Sequence, residues 1–233
     1  KKNKFSSFII DKFEKYIYQN TDSIVISSKG FKKALIPYLY KNCKLHYLPN
    51  WADELNINSH NIAKKKNIFK KAINFTFAGN IGKFQNLENI IKAFTLMHND
   101  YQKKSRLNII GDGSNLDNLK LLAKNNPYIH FYGRQPSKIM GNYYQSSDFL
   151  IISLVSDPLF SVLVPSKMQT YIAAKKPILA IIKGDTADIV KKYNLGICSD
   201  PSNINDITNM FEKCIKMKKD DRKKFIKQND LLL

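Results

Sequence analysis

No stretch of this chain approaches the ~20 consecutive apolar residues that a membrane-spanning helix requires. The basic start, Lys1-Lys2-Asn3-Lys4-Phe5, leads into no apolar run long enough for a secretory signal, and it has no initiator Met, as expected of a piece of a longer chain. Cysteine is scarce: Cys43, Cys198 and Cys214 are odd in number and stand at no ligand spacing, which argues against a disulfide framework or a zinc site and fits a reducing compartment. The histidines His46, His60, His98 and His130 are scattered, so neither a base nor a ligand set is read from them. Ser153, Ser156 and Ser161 have no His and Asp partners nearby in sequence, which leaves nucleophilic hydrolysis without support. A Walker A sequence is also missing, which argues against a nucleoside triphosphatase.

Acidic residues are in short supply. With 38 Lys and Arg against 19 Asp and Glu, the formal charge is +19, and nucleic acid, an anionic membrane surface or anionic small substrates could each call for it. The basic residues come in small groups (Lys64 to Lys66, Lys103-Lys104, Lys218-Lys219, Arg222 to Lys224) rather than one arm. A solvated lysine-rich surface accounts for most of them, a membrane contribution ranks second, and nucleic acid ranks third because no reading module accompanies the charge. An apolar fraction of 43% with 12% aromatics marks a folded protein, and 233 residues suffice for one full domain and part of another.

The first fifty residues read as a helix over 8–19 that buries Phe8, Ile9, Phe13 and Ile17, and a short buried strand over 23–27. A helix over 31–40 and a strand over 45–48 follow, ending at Pro49-Asn50-Trp51. They hold too few apolar residues for a core of their own and resemble the trailing edge of a domain. Residues 52–71 are lysine-rich and weakly patterned, as in a linker. Strands and helices then alternate: strands at 73–78, 107–110, 129–132, 149–154, 177–182 and 196–198, with helical spacing between them and in a last helix from Ile204 to Ile215. The continuously apolar 149–154 is placed at the centre of the sheet. After Lys216 the chain turns charged, and no closing element is expected.

Six alternations give the α/β class with a doubly wound parallel sheet, whose ligands bind at the carboxyl ends of the strands. That rule gathers Gly79 to Lys83, Gly111 to Gly113, Gly133-Arg134, the loop before Pro165 and Gly184 on one rim. The organising stretch is Val162 to Ala180. In it Pro165 and Ser166 start a short helix that buries Met168, Tyr171 and Ile172, and the Ser166 hydroxyl and Lys167 ammonium stand where an anion would be received. Glycines for close approach, with Lys83, Arg134 and Lys167 for charge, suit a diphosphate. Gly111-Asp112-Gly113 lacks the third glycine of a dinucleotide fingerprint and reads as a turn.

Phe77 to Gly82, Ile110 to Gly113, Phe131 to Gly133, Asp157 to Ser161, Val164 to Lys167 and Ala173 to Pro177 together resemble the donor half of family 4 glycosyltransferases. The resemblance is closest to the bacterial branch that builds O-antigen and capsule repeats, including the transferases of N-acetylated aminodeoxy sugars. It covers residues 73 to about 215, and residues 22–50 resemble the end of that family's acceptor domain. It implies a Rossmann-like GT-B donor domain over 73–233, a linker over 51–72, and an acceptor-domain tail over 1–50. It further implies a retaining transfer from a nucleotide diphosphate sugar, UDP-linked, to a glycan or lipid-linked acceptor. No metal or other cofactor and no nucleic acid would take part, and the location would be cytoplasmic, with peripheral contact at the inner face of an anionic membrane.

By the same resemblance Lys83 and Lys167 would be catalytic. Donor contacts would come from Gly79, Asn80, Gly82, Gly111, Gly113, Gly133, Arg134, Asp157, Phe160, Ser161, Pro165, Ser166 and Thr170. Gly133-Arg134 would face the base, Thr170 the ribose, and Asp157 to Ser161 the sugar. The chain departs from the family where it has Asn80 and Gln85 for an Arg and a Lys, Thr170 for an acid, and Lys175 for a glycine. The alternative is a truncated nucleotide-sugar-binding domain with no transferase activity of its own.

Overall fold

The computed structural model describes residues 4–40, 42–51, 68, 69 and 71–225. The elements in chain order are α1 (Lys4–Gln19), β1 (Ser23–Ile26), α2 (Phe31–Leu35), β2 (Lys44–Tyr47), β3 (Ile73–Ala78), α3 (Leu87–Leu96), α4 (Asn99–Lys103) and β4 (Ser105–Ile110). After these come α5 (Leu116–Leu122), β5 (Ile129–Gly133), α6 (Ser137–Ser146), β6 (Phe149–Ser153), α7 (Pro158–Ser161) and α8 (Lys167–Ala173). The chain continues through β7 (Ile178–Ile181), α9 (Asp185–Lys192), β8 (Gly196–Ser199), α10 (Ile204–Lys216) and α11 (Lys219–Lys224). Single-turn 3₁₀ helices follow α2 (Ile36–Tyr38) and β3 (Lys83–Gln85).

The main sheet has six strands in the order β5-β4-β3-β6-β7-β8, and every pairing is parallel. The chain winds outward from β3 in one direction and from β6 in the other, so the winding reverses between these two central strands. Side chains that alternate along β6 feed two cores. Phe149 and Ile151 join Phe75, Phe94 and Phe211 under α3 and α10, whereas Leu150 and Ile152 join Met168, Tyr171 and Val190 under α8 and α9. The ring of Phe211 meets that of Phe75 edge-on at 4.8 Å and that of Phe94 at 5.7 Å. Such pairs each add about 0.5–1.5 kcal/mol beyond their area. The expected central place of residues 149–154 is therefore borne out, and so is the doubly wound sheet.

Three expectations need correction. The apolar residues of α1 are exposed rather than buried, Phe8, Phe13 and Ile17 by 55%, 63% and 45%. Likewise Val25 in the centre of β1 is 61% exposed. The physical reason is layer count: β1 pairs only with β2, and a two-stranded sheet among the described residues has no surface broad enough to cover a helix. Finally, the charged stretch after Lys216 does close the fold. In α11 the guanidinium of Arg222 reaches Asp148 at 2.7 Å, while the other carboxylate oxygen of Asp148 accepts the Asn74 N–H at 2.9 Å. The helix is short and charged, so its sequence shows no apolar spacing.

Most of the expected 51–72 linker lies outside the described residues. Phe69, from its end, is buried against Tyr132 and Tyr143 at ring distances of 5.5 and 5.9 Å.

Candidate functional site

The glycines expected on one rim do meet there. The Gly79 N–H donates to Ile110 at 2.9 Å, and the Gly111 N–H donates to Gly133 at 2.8 Å, so the ends of β3, β4 and β5 are laced together. Gly111 has φ +138°, and a Cβ there would lie 1.8 Å from the Gly79 carbonyl oxygen, which leaves room for glycine alone. Gly113 backs in the same way onto Ile81 and the side chain of Asn80.

Lys167 faces this rim from the other half of the sheet. A Cβ on Gly79 would sit 2.9 Å from its Nζ, and the ammonium lies over the Phe77 ring, 4.1 Å from the centroid. Burial pushes its pKa down from 10.5 to about 8: the low-dielectric surroundings disfavour the charge, and a ring quadrupole compensates only part of the lost hydration. The helix that carries Lys167 is held by Tyr171, which bonds directly to the last residue of β3. The fully buried hydroxyl of Tyr171 accepts from the Ala78 N–H and donates to the Ala78 carbonyl, each at 3.3 Å.

A cavity of about 330 Å³ opens where the winding reverses. Ser27, Asn50, Gln85, Ser153 and the segment 163–167 line it. The Gly82 N–H is held by Gln85 Oε1 at 2.9 Å, and the Ser153 hydroxyl donates to the Gln85 carbonyl. The Val155 N–H reaches the Phe84 carbonyl at 2.9 Å, and the rings of Phe84 and Phe160 lie 5.3 Å apart. The turn after β3 and the loop after β6 thus close on each other around the cavity.

Of the expected site residues, Gly79, Asn80, Gly82, Gly111, Gly113 and Gly133 share the rim, and Pro165, Ser166 and Lys167 line the cavity. Lys83 is exposed and has no partner among the described residues, and Arg134 is exposed beyond β5. The Asp157 carboxylate caps α7 by accepting the Leu159 N–H at 2.8 Å, and the Ser161 hydroxyl donates to the Pro158 carbonyl at 2.6 Å. Thr170 is half-buried on α8, outside the cavity lining. Burial pushes the thiols of Cys198 and Cys214 up to about 11 and about 12, which suits inert packing. No group of three or more potential metal-ligating side chains occurs among the described residues.

Sequence reasoning missed Ser27, Asn50, Ser153 and the clamp made by Tyr171, none of which has a local signature. Gln85 had drawn notice only as a departure from the family's pattern.

Residues 58–231 match the family described as glycosyl transferases group 1. The chain belongs to this family. The probable glycosyltransferase WbjE of Pseudomonas aeruginosa is 26% identical to this transferase-family chain over 204 residues, 84% of the chain and 50% of that protein. The crystal structure of WaaG, a glycosyltransferase involved in lipopolysaccharide biosynthesis, gives a TM-score of 0.76 at 14% identity, covering 94% of this chain and 60% of that one. Anabaena Alr3699/HepE, solved in complex with UDP and glucose, gives 0.70 at 12% identity, covering 91% and 58%. At these identities the two structures speak for the fold, which is that of GT-B glycosyltransferases. The group 1 chain spans 50% to 60% of the length of these three proteins.

Proposed function

We propose that residues 73–233 form the nucleotide-sugar-binding half of a retaining glycosyltransferase, with 51–72 as linker and 1–50 as the tail of an acceptor domain. The observation that carries this reading is the ammonium of Lys167 held at a glycine rim, beside a cavity at the reversal point of the sheet. The donor is a UDP-linked sugar of the N-acetylated aminodeoxy class, and the acceptor is a glycan or lipid-linked glycan of a cell-surface polysaccharide such as O-antigen or capsule. Support for UDP comes from the UDP complex of HepE, and support for the acceptor class from WaaG, a glycosyltransferase involved in lipopolysaccharide biosynthesis.

In this reading Gly133-Arg134 faces the base and Thr170 the ribose. Asn80, Gly82, Lys83, Ser166 and Lys167 hold the diphosphate, and Asp157 to Ser161 flank the sugar. Gln85 occupies the Gly82 N–H that a phosphate oxygen would take over. Breaking the anomeric bond leaves charge on the departing diphosphate, so a fixed ammonium stabilises the transition state more than the ground state. Neither a metal nor a protein nucleophile enters this scheme.

The excess of cations suits peripheral contact with an anionic membrane at its cytoplasmic face. Among the described residues no helix is long and apolar enough to cross a membrane.

Calorimetric titration of the chain with UDP, UDP-glucose and UDP-N-acetylglucosamine tests the donor assignment. Saturable binding of all three, with preference for an N-acetylated donor, is the expected result. Failure of UDP to bind at millimolar concentration would remove the assignment.

A further inference from the structure

Two stretches more than 150 residues apart meet at one carboxylate. Asp185 heads α9, and its Oδ2 accepts both the Ser28 hydroxyl at 2.7 Å and the Gly30 N–H at 2.8 Å. Ser28 is 1% exposed, so neither bond is a casual surface contact. Gly30 has ordinary right-handed backbone angles, which shows that glycine is there for space. A Cβ on it would come within 2.7 Å of both Asp185 Oδ2 and Val162 Cβ.

The carboxylate itself stands on a firm base. On one side of it the backbone of Gly184 packs on the Ser161 carbonyl, and on the other the Thr186 hydroxyl donates to the Leu163 carbonyl at 2.8 Å. Residue 163 begins the wall that runs to Lys167, while Ser27, next to Ser28, and Asn50 form part of the opposite lining. A carboxylate is acceptor-only, which matches the two donors it receives.

We propose that Asp185 is a positioning residue: it pins the 27–30 segment to the 161–167 wall and so sets the width of the cavity in front of Lys167. The pin stands on contacts seen in the structure, and its effect on ligand binding rests on the donor-site reading above. Losing the carboxylate strands a buried hydroxyl and an amide, and the segment that carries Ser27 separates from the wall.

Hydrogen exchange read by mass spectrometry, with UDP titration on the same samples, tests this in the full chain and in Asp185→Ala and Ser28→Ala. In both variants amides of residues 27–31 should exchange roughly tenfold faster or more, with β6 and β7 unchanged, because charge-assisted bonds are lost locally. UDP affinity should fall in both variants, less in Ser28→Ala, which leaves the head of α9 untouched. Parent-like exchange over 27–31 in either variant would overturn the pin. Faster exchange with unaltered UDP affinity would overturn its positioning role. If the parent chain binds no UDP, the donor reading fails, and the exchange measurement still decides the pin by itself.

Discussion

Replacing Lys167 with methionine should make the apo chain more stable and its donor site worse. The group falls from 10.5 in a free side chain to about 8 in the fold, a difference that corresponds to on the order of 3 kcal/mol against the charged form. Loss of the cation–π contact with Phe77 returns about 1 kcal/mol of that, so a gain of roughly 1–2 kcal/mol at pH 7 is expected.

The sign follows from proton counts. Between pH 8 and 10.5 the unfolded chain holds the proton that the folded chain has released, so stability of the parent rises with pH across that window. Below about pH 8 the full penalty applies. Urea melts at pH 7 and pH 10 should therefore differ for the parent more than for Lys167→Met. UDP affinity should behave oppositely. An ammonium on a phosphate contributes about 1.5–3 kcal/mol, so the variant should bind at least tenfold more weakly at pH 7, and the parent should lose affinity as pH climbs through 8. A variant that binds UDP like the parent, with the same urea midpoint, would refute both the burial and the role assigned to this lysine.

Lys175 stands at φ +53° where the family pattern has glycine, so Lys175→Gly should raise thermal stability by about 1 kcal/mol, measured by calorimetric melting. Gly111→Ala drives a methyl into the Gly79 carbonyl; a cost above ~3 kcal/mol, or failure to fold, is expected in urea titration. Arg222→Ala leaves the part-buried Asp148 carboxylate without its cation. A loss of about 2 kcal/mol is expected, with faster exchange in α11 than in α10.

The periodic part of the sequence delivered most of the sheet. Phe75 and Phe77, Leu107 and Ile109, and Phe149 and Ile151 repeat at strand spacing, and Leu87, Ile90, Ile91 and Phe94 at helical spacing, because each set packs on one broad layer. Periodicity does not tell how wide that layer is, and so it marks Phe13 and Val25 for burial although the small sheet beside them covers little. Glycines on the rim were legible because close backbone approach admits few other residues. The carboxylate of Asp157 and the hydroxyl of Ser161 are expected at the donor sugar, yet their own short helix uses both. Ser27, Asn50 and Asp185 could not be found from sequence, since what joins them to Lys167 is tertiary contact across the whole length of the chain.

The double grip of Tyr171 on Ala78 has a mechanical consequence. Because one phenol ring is bolted to the last residue of a central strand, Lys167 cannot drift outward on its helix without tearing the strand's own end. Whatever adjusts to admit a substrate must therefore move as turns around a stationary ammonium, the way tumblers shift around a fixed key post.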